Sequence, residues 1–366
     1  MTTDFPTTTS EITAGFLTAA LRESGTIGDD VSVISVQGSD AGAGIGFMGE
    51  VGTVDIAYEG DAGDAPTTIV AKFPTHSDDV RAMMYPTRVY EREHCFYRDL
   101  AAQTPLRTPS HFHITCEVSD DPHAEHYLML MEDLSHLTIG DQLAGVTVDQ
   151  ARAALVGLAA HHARFWNAAG LDDADFIPVI DGPLNQAGQQ IYAASYPGFI
   201  EVFGEVLDPR ISAFGERYGD IRPAILDRLA QMPHTLVHFD YRADNLFFDD
   251  DGSVVVIDWQ AISVGGGAAD VGYFLSQNLS IDDRRAHEDD LLQAYHDALV
   301  ANGVTDYPYD ELVADYDIGI LCGWIIPAFA VGSLDVSSER AMALWNEVVD
   351  RVQTAILDRS LHEWRP

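Results

Sequence analysis

The stretch 236–259, LVHFDYRADNLFFDDDGSVVVIDW, constrains this chain most, because it combines strand-forming residues with polar residues at fixed spacings. Its first apolar run leads into His238, Asp240 and Asn245 in the pattern H-x-D-x-x-x-x-N. Its second β-rich run follows an acidic turn and ends in Asp258. Two strands joined by such a turn predict a small sheet with these polar side chains together at one end.

These side chains are the ones that phosphoryl transfer from a metal-bound nucleotide requires. A carboxylate must orient the attacking hydroxyl or accept its proton, and Asp240 is placed to act as this catalytic base. An amide oxygen and a second carboxylate suit the hard ion Mg²⁺, which predicts Asn245 and Asp258 as its ligands. The alternative is an ordinary hairpin with a polar turn. The coincidence of two separately spaced pieces favours the site.

The chain contains a single lysine, Lys72, which follows the β-rich run 67–71. A compact ammonium group on a flexible stem suits the α- and β-phosphates of a nucleotide. A helix predicted over 85–101 carries Glu93, the preferred ion-pair partner of Lys72, with Glu91 as the second choice. A lysine retained by chance and an exposed glutamate are the alternatives.

A glycine-rich segment lies between strands predicted at 31–37 and 51–58. It contains Gly44, Gly46 and Gly49 in the pattern G-x-G-x-x-G. Backbone N–H groups in such a turn can approach nucleotide phosphates because no side chain intervenes. A dinucleotide-binding fingerprint would need a helix directly after the glycines, so an NAD-dependent dehydrogenase is disfavoured. A plain flexible hairpin is the alternative.

The rest of the chain is predicted to be mainly helical. Helices are expected at 8–24, 147–168, 271–279, 282–303, 309–334 and 337–360, with at least two more between 171 and 233. His161 and His162 are adjacent on one helix and point in different directions, which favours structural roles over metal binding. Asp270 precedes the helix at 271–279, where it would either support the catalytic loop or simply cap the helix.

Charge limits the possible partners. Asp and Glu number 58 against 20 Lys and Arg, which gives a formal net charge of −38. This charge repels nucleic acid and anionic membranes, and we therefore expect neither as a partner. The acidity suits either a cationic substrate or a salty cytoplasm, and its spread along the whole chain favours the second.

The chain shows no sign of export or membrane insertion. The first residues lack the basic and apolar parts of a secretory signal, and the apolar run 318–334 is short and contains Pro327. The three cysteines are scattered and fit no metal spacing, which suggests a reducing compartment. We expect a cytoplasmic protein, whose oligomeric state the sequence leaves open.

Several motifs together resemble the aminoglycoside phosphotransferase and choline kinase-like superfamily. They are the H-x-D-x-x-x-x-N pattern, the Ile257-Asp258-Trp259 end, Lys72, the segment 90–97 and the segment 129–134. The segments HARFW and DYRADNLFF are similar to the bacterial branch near the ecdysteroid-kinase-like group and the kinase domains associated with acyl-CoA dehydrogenases.

The resemblance implies an α+β, two-lobe protein-kinase-like fold. Residues 1–131 would form a nucleotide-binding lobe with a small antiparallel sheet, and residues 132–366 a mostly helical lobe with the catalytic loop. The strand predicted at 127–131 would lead into the hinge, where the backbone of Met131 and Asp133 would meet the adenine edge.

The implied function is an ATP- and Mg²⁺-dependent O-phosphotransferase acting on a hydroxyl group of a small metabolite or antibiotic. A catalytically silent nucleotide-binding module is the main alternative. Protein kinase activity is disfavoured because the segment between Asp258 and Asp270 is too short for a switching activation loop. Phe239 stands where the small-molecule families usually have glycine, which narrows the expected floor of the substrate site. Neither the acceptor nor the choice of ATP over GTP follows from the sequence.

Overall fold

The computed structural model describes residues 5–40, 49–121, 124–171, 173–334 and 336–366. The chain forms two compact units, one of residues 1–102 and 108–136 and the other of residues 103–107 and 137–366. The boundary proposed after Met131 stays a prediction, although it lies within a few residues of the junction between the units at 136/137.

The first unit is built on one antiparallel sheet of five strands, in the order β1-β2-β3-β5-β4. These strands are β1 Ser32–Asp40, β2 Gly49–Glu59, β3 Thr68–Pro74, β4 His111–Glu117 and β5 His126–Glu132. The helices of this unit are α1 Ala14–Glu23, α2 Asp78–Met84 and α3 Val89–Cys95, and a π-helical turn, Phe96–Leu100, continues α3.

The alternation of side chains along β3 sets the direction of the only lysine in the sequence. Ile69, Ala71 and Phe73 are buried and belong to the hydrophobic core of the first unit. Because successive side chains of a strand point to opposite faces, Lys72 lies on the face of the sheet away from that core. In the antiparallel register Lys72 is opposite Val51 of β2 on one side and Met129 of β5 on the other.

Two helices predicted in the first unit differ from the structure at their starts. The helix predicted over 8–24 begins at Ala14, where the Thr13 hydroxyl accepts a hydrogen bond from the backbone N–H of Phe16 at 3.1 Å. The helix predicted over 85–101 begins at Val89, because Arg88 has a left-handed φ of 54° that separates it from the preceding turn. Local capping and backbone geometry decided both boundaries.

The second unit is mostly helical and contains two small sheets. Its strands are β6 Thr138–Ile139, β7 His234–Val237, β8 Leu246–Phe248, β9 Val254–Val256 and β10 Ser263–Gly266. Its helices are α4 Val148–Arg164, α5 Pro183–Gln186, α6 Gly188–Phe203, α7 Pro209–Gln231, α8 Ala268–Asn278, α9 Ile281–Ala301, α10 Tyr309–Gly323, α11 Ile325–Ser333 and α12 Glu339–Asp358. Strand β7 pairs with β10, and β8 pairs with both β6 and β9.

Helix α8 lies at the centre of the second unit, and every one of its residues is buried. It packs so closely against α10 that a Cβ placed on Gly319 would lie 1.9 Å from the carbonyl oxygen of Ala268. Among the described residues one helical stretch, Tyr309–Ser333, is apolar and long enough to cross a membrane, but 67% of its apolar window is buried inside the protein. Packing of α10 against α8, and of α11 against α6, accounts for this apolar character.

Candidate active site

A hairpin closed by the predicted acidic turn is present in the second unit, but the first apolar run of the predicted sheet lies in β7, which pairs with β10 and not with β9. Strands β8 and β9 pair in antiparallel register, with Leu246 opposite Val256. The acidic turn between them closes through Gly252, which has a φ of 84°, a conformation that glycine adopts without strain. Asn245 immediately precedes β8, and Asp258 follows β9 by two residues. The antiparallel pairing therefore places both residues at the same end of the hairpin.

Asn245 is bonded directly to Asp240. Its amide nitrogen Nδ2 donates to the backbone oxygen of Asp240 at 2.9 Å and to the carboxylate oxygen Oδ2 at 3.1 Å. These bonds use the two N–H groups of the amide, so the remaining polar atom, Oδ1, is the one suited to a metal ion. The backbone oxygen of Asn245 also accepts a bond from the N–H of Ile257 at 3.0 Å, which ties it to the residue before Asp258.

Other groups orient the Asp240 carboxylate from the side opposite Asn245. The Tyr273 hydroxyl donates to Oδ1 at 3.4 Å, and Nε of Arg242 lies 3.4 Å from the same oxygen. Burial raises the pKa of Asp240 above its ordinary value, the negative charge of Asp258 adds to this, and Arg242 opposes it. The Asp240 carboxylate is thus held in one orientation and binds a proton more readily than an exposed carboxylate.

His238 connects the loop that carries Asp240 to the segment that carries Asp258. Its Nδ1 accepts a bond from the backbone N–H of Asp240 at 3.3 Å, so the hydrogen is on Nε2, which donates to the carbonyl oxygen of Ile257 at 2.9 Å. The ring is completely buried. His238 therefore joins the two parts of the site through hydrogen bonds at both ring nitrogens.

Asp270 supports the start of the same loop. Its Oδ2 accepts from the backbone N–H of His238 and its Oδ1 from that of Phe239, both at 2.7 Å. His162 approaches Oδ2 through Nε2 at 3.2 Å, and Tyr295 bonds its other ring nitrogen at 2.7 Å. Of the two roles considered for Asp270, these bonds favour support of the loop, and they give His162 a structural position.

The donor set at the end of the hairpin suits magnesium. The Asp258 carboxylate and the Asn245 amide oxygen are hard oxygen donors, and Gln260 fixes Asp258 by donating to its Oδ2 at 3.1 Å. Among the described residues no group of three or more His, Cys, Asp or Glu side chains could hold a metal ion. Magnesium needs no such cage, because nucleotide phosphates and water complete its octahedron in kinase sites.

In the first unit, Lys72 and Glu93 form the ion pair that the sequence predicts. The ammonium nitrogen lies 2.7 Å from Glu93 Oε1, and the side chains are 21% and 3% exposed, respectively. Glu91, the second choice, instead pairs with Arg88. The end of the glycine-rich segment is also close, since a Cβ on Gly49 would lie 3.6 Å from Lys72 Cε.

Two of the other proposed nucleotide-binding residues, Gly44 and Gly46, lie outside the described residues. The remaining two, Met131 and Asp133, have local structural roles. Met131 is buried at the end of β5, opposite Val70 of β3. The Asp133 carboxylate accepts from the backbone N–H and hydroxyl of Ser135 at 2.9 and 3.0 Å, which forms a tight turn after β5. Adenine contacts by Met131 and Asp133 stay a prediction.

Two residues of this site were missed by sequence reasoning. Arg242 lies inside the motif, two residues after Asp240, and its charge could have been noted. Tyr273 lies three residues after Asp270 on α8, and residues at that spacing share a helix face. The spacing could have indicated Tyr273 as a site residue only after Asp270 had been recognised as a support of the loop.

Comparison with known proteins places this arrangement among kinase-like folds. The family model described as ecdysteroid kinase-like matches residues 43–304. A choline kinase from Cryptosporidium parvum Iowa II has a TM-score of 0.55 at 8% identity, covering 94% of this chain and 98% of that one. A mutant aminoglycoside 2'-phosphotransferase-IIIa in complex with GDP has a TM-score of 0.54 at 13% identity, covering 89% and 94%.

Spectinomycin phosphotransferase in complex with ADP and spectinomycin has a TM-score of 0.51 at 13% identity, covering 96% of this chain and 99% of that one. No curated protein matches the chain by sequence. At these identities the likeness to solved structures concerns the fold alone. It confirms the predicted α+β kinase-like fold, and together with the family model it confirms the resemblance stated from the motifs.

Proposed function

The chain belongs to the ecdysteroid kinase-like family, and from this premise we propose that it is an ATP- and Mg²⁺-dependent phosphotransferase acting on a hydroxyl group of a small molecule. One observation carries the proposal: the bonded unit in which Asn245 holds the Asp240 carboxylate and pairs with the residue before Asp258. This bonded group of residues brings together the proposed base, Asp240, and the two proposed metal ligands, Asn245 and Asp258. The net charge of −38 disfavours nucleic acid or an anionic membrane as the partner.

Asp240 would take the proton of the acceptor hydroxyl. The acceptor oxygen forms a bond to the γ-phosphorus, the bond from that phosphorus to the β–γ bridging oxygen breaks, and ADP leaves with the electron pair. Asn245 and Tyr273 each bond one oxygen of the Asp240 carboxylate. The carboxylate is therefore already oriented, and it loses little rotational freedom when the acceptor binds. The raised pKa of Asp240 brings its basicity closer to the pH at which it must work.

The nucleotide-binding roles follow the same assignment. Bound Mg²⁺ and ATP would supply the phosphoryl group and neutralise its charge. Asn245 and Asp258 would hold the ion through their side-chain oxygens. Lys72, held by Glu93, would bind nucleotide phosphates. GDP and ADP complexes among the structural relatives support a nucleotide as the phosphoryl donor. Because both nucleotides occur, ATP and GTP are both tested as donors.

The test is nucleotide hydrolysis with ATP and GTP, each with and without Mg²⁺. Wild type should release nucleoside diphosphate slowly, and Asp240→Ala should reduce the rate by about a hundredfold or more. Nucleotide binding by the variant, measured by calorimetry, should be retained. Asp250→Ala removes an exposed carboxylate from the turn of the same hairpin and should behave as wild type. If wild type and Asp240→Ala release product equally slowly, the chain is a silent nucleotide-binding module.

A further inference from the structure

A cavity of about 50 Å³ lies beside the catalytic loop of the second unit. Phe239, Ala269, Ile325 and Ile326 supply apolar walls. Tyr273 also lines the cavity, and its hydroxyl donates to Asp240 Oδ1 at 3.4 Å. Through Tyr273 the cavity therefore adjoins the carboxylate that we assign as the base.

One charged residue, Arg222 of α7, lines this otherwise apolar space. Arg222 is only 4% exposed. Its Nη1 donates to the carbonyl oxygen of Asn185 at 2.5 Å, while its buried Nε–H has no hydrogen-bond partner. No carboxylate in the described part of the chain forms an ion pair with it. A buried guanidinium without a counterion is unfavourable, and such groups are usually paired in folded proteins.

The polar neighbours of Arg222 do not supply the missing negative charge. Cys322 also lines the cavity, but burial raises the pKa of its thiol to about 11, so the thiol is neutral at physiological pH. Burial likewise raises the pKa of the nearby Tyr218 hydroxyl, which donates to the carbonyl oxygen of Cys322 at 3.2 Å. The positive charge of the Arg222 guanidinium is therefore available to pair with an anionic group of a ligand that enters the cavity.

We propose that this cavity is an acceptor subsite that binds an anionic group, such as a carboxylate, of an apolar hydroxylated molecule through Arg222. The inference rests on the proposed function, because it orients the acceptor so that its hydroxyl faces Asp240. Apolar walls suit the hydrocarbon part of such a molecule, and the guanidinium suits its charged end. The same arrangement discriminates against cationic acceptors, because a second positive charge would be buried beside Arg222.

The experiment compares three series of probes that differ only in one terminal group: ω-hydroxyalkanoates, alkanediols and aminoalkanols of equal chain length. Binding is measured by ligand-observed NMR, and turnover by ADP release with Mg²⁺ and ATP. Wild type should bind the hydroxyalkanoates best. Arg222→Met should weaken the binding of the hydroxyalkanoates by roughly tenfold or more and should leave the binding of the diols unchanged. Arg222→Lys should restore part of the lost hydroxyalkanoate binding.

Arg217→Met is the matched control on the same helix. Arg217 also donates to backbone carbonyls, those of His362 and Trp364, and it does not line the cavity. Its substitution should leave the preference for hydroxyalkanoates intact. Circular dichroism and thermal unfolding establish that each variant is folded.

The outcomes separate this inference from the proposed function. Equal binding of all three series by wild type, or hydroxyalkanoate binding that Arg222→Met leaves unchanged, overturns the subsite without touching the assignment of Asp240. Hydroxyalkanoate binding that depends on Arg222 supports the subsite even when no probe accelerates ADP release. The complete absence of Mg²⁺-dependent nucleotide turnover counts against the proposed function alone.

Discussion

At the scale of single residues, Asp240 shows how a partly buried carboxylate, which we propose as the base, can lower stability. Because burial raises its pKa, the folded protein binds a proton at this carboxyl more readily than the unfolded chain does. The folded state is therefore destabilised as the pH rises from the ordinary carboxyl pKa, near 4, through the raised folded pKa. Above both values the destabilisation is fully present, and below both it disappears.

We expect Asp240→Asn to raise Tm at pH 7 while removing phosphotransferase activity. The neutral amide avoids the cost of burying a charge, and Arg242 keeps its second partner Asp244 at 2.5 Å. Thermal unfolding at pH 7 and at pH 4 checks the sign: the gain in Tm should shrink at the lower pH. A variant less stable than wild type at pH 7 would show that the carboxylate is stabilising in the folded protein.

We expect Glu93→Gln to destabilise the first unit by about 1–3 kcal/mol, because it removes the carboxylate that lies 2.7 Å from the partly buried Lys72 ammonium. The KM for nucleotide should rise, since the contact with Glu93 no longer helps to orient the Lys72 side chain. The control is Glu91→Gln, which breaks the pair with Arg88, whose side chain is 56% exposed, and should cost less than about 1 kcal/mol. Urea denaturation and steady-state kinetics measure both effects.

At the scale of elements, the start of α8 determines the shape of the loop that carries Asp240. Phe239 has a φ of 63°, a left-handed conformation that a non-glycine residue adopts only at some cost. The bonds from the N–H groups of His238 and Phe239 to the Asp270 carboxylate offset this cost. Asp258 has a similar φ of 66° after β9. Unusual backbone conformations therefore occur on both sides of the site.

We expect Asp270→Asn to lower the free energy of unfolding by about 2–4 kcal/mol, because an amide offers one acceptor where two backbone N–H groups need two. The kcat for nucleotide turnover should fall with little change in nucleotide KM, since the loop that carries Asp240 loses its support. Asp282→Asn changes an exposed first-turn carboxylate of α9 and should cost less than about 1 kcal/mol. Equal losses in the two variants would reduce the role of Asp270 to helix capping.

Element prediction from the sequence was most accurate where the determinants are local. The β8–β9 hairpin closes at the predicted acidic turn, and α4 begins where expected, at a reciprocal capping box formed by Thr147 and Gln150. Helix α4 ends at Arg164, four residues before the predicted end at 168. The helix predicted over 309–334 ends at Gly323 and begins again at Ile325. The helix predicted over 85–101 was wrong at its start because apolar spacing does not reveal a left-handed residue such as Arg88.

At the scale of the whole molecule, charge is the dominant feature. A net charge of −38 creates self-repulsion, which destabilises a compact state at low ionic strength. Salt bridges such as that between Arg285 and Asp358 offset only part of it, because exposed pairs contribute little. Screening by salt shortens the range of this repulsion from about 10 Å at 0.1 M to about 3 Å at 1 M.

We expect Tm and nucleotide turnover to hold or rise as KCl is increased to about 1 M, because screening relieves the repulsion. Differential scanning fluorimetry across a KCl series measures Tm, and a parallel NaCl series tests whether the response depends on the cation. A sharp fall of both Tm and activity in molar KCl would contradict adaptation to a salty cytoplasm.

The sequence by itself determined the residue types and spacings of the catalytic stretch, the hairpin that joins Asn245 to Asp258, and the single lysine with its glutamate partner. These features depend on contacts between neighbours in the chain or on chemistry that few residue types can supply. Only the tertiary structure decided that Asp270 supports the catalytic loop and that Arg222 lines a cavity beside Tyr273. Those contacts join helices distant in the chain, and their geometry depends on how α7, α8 and α11 pack rather than on any local pattern.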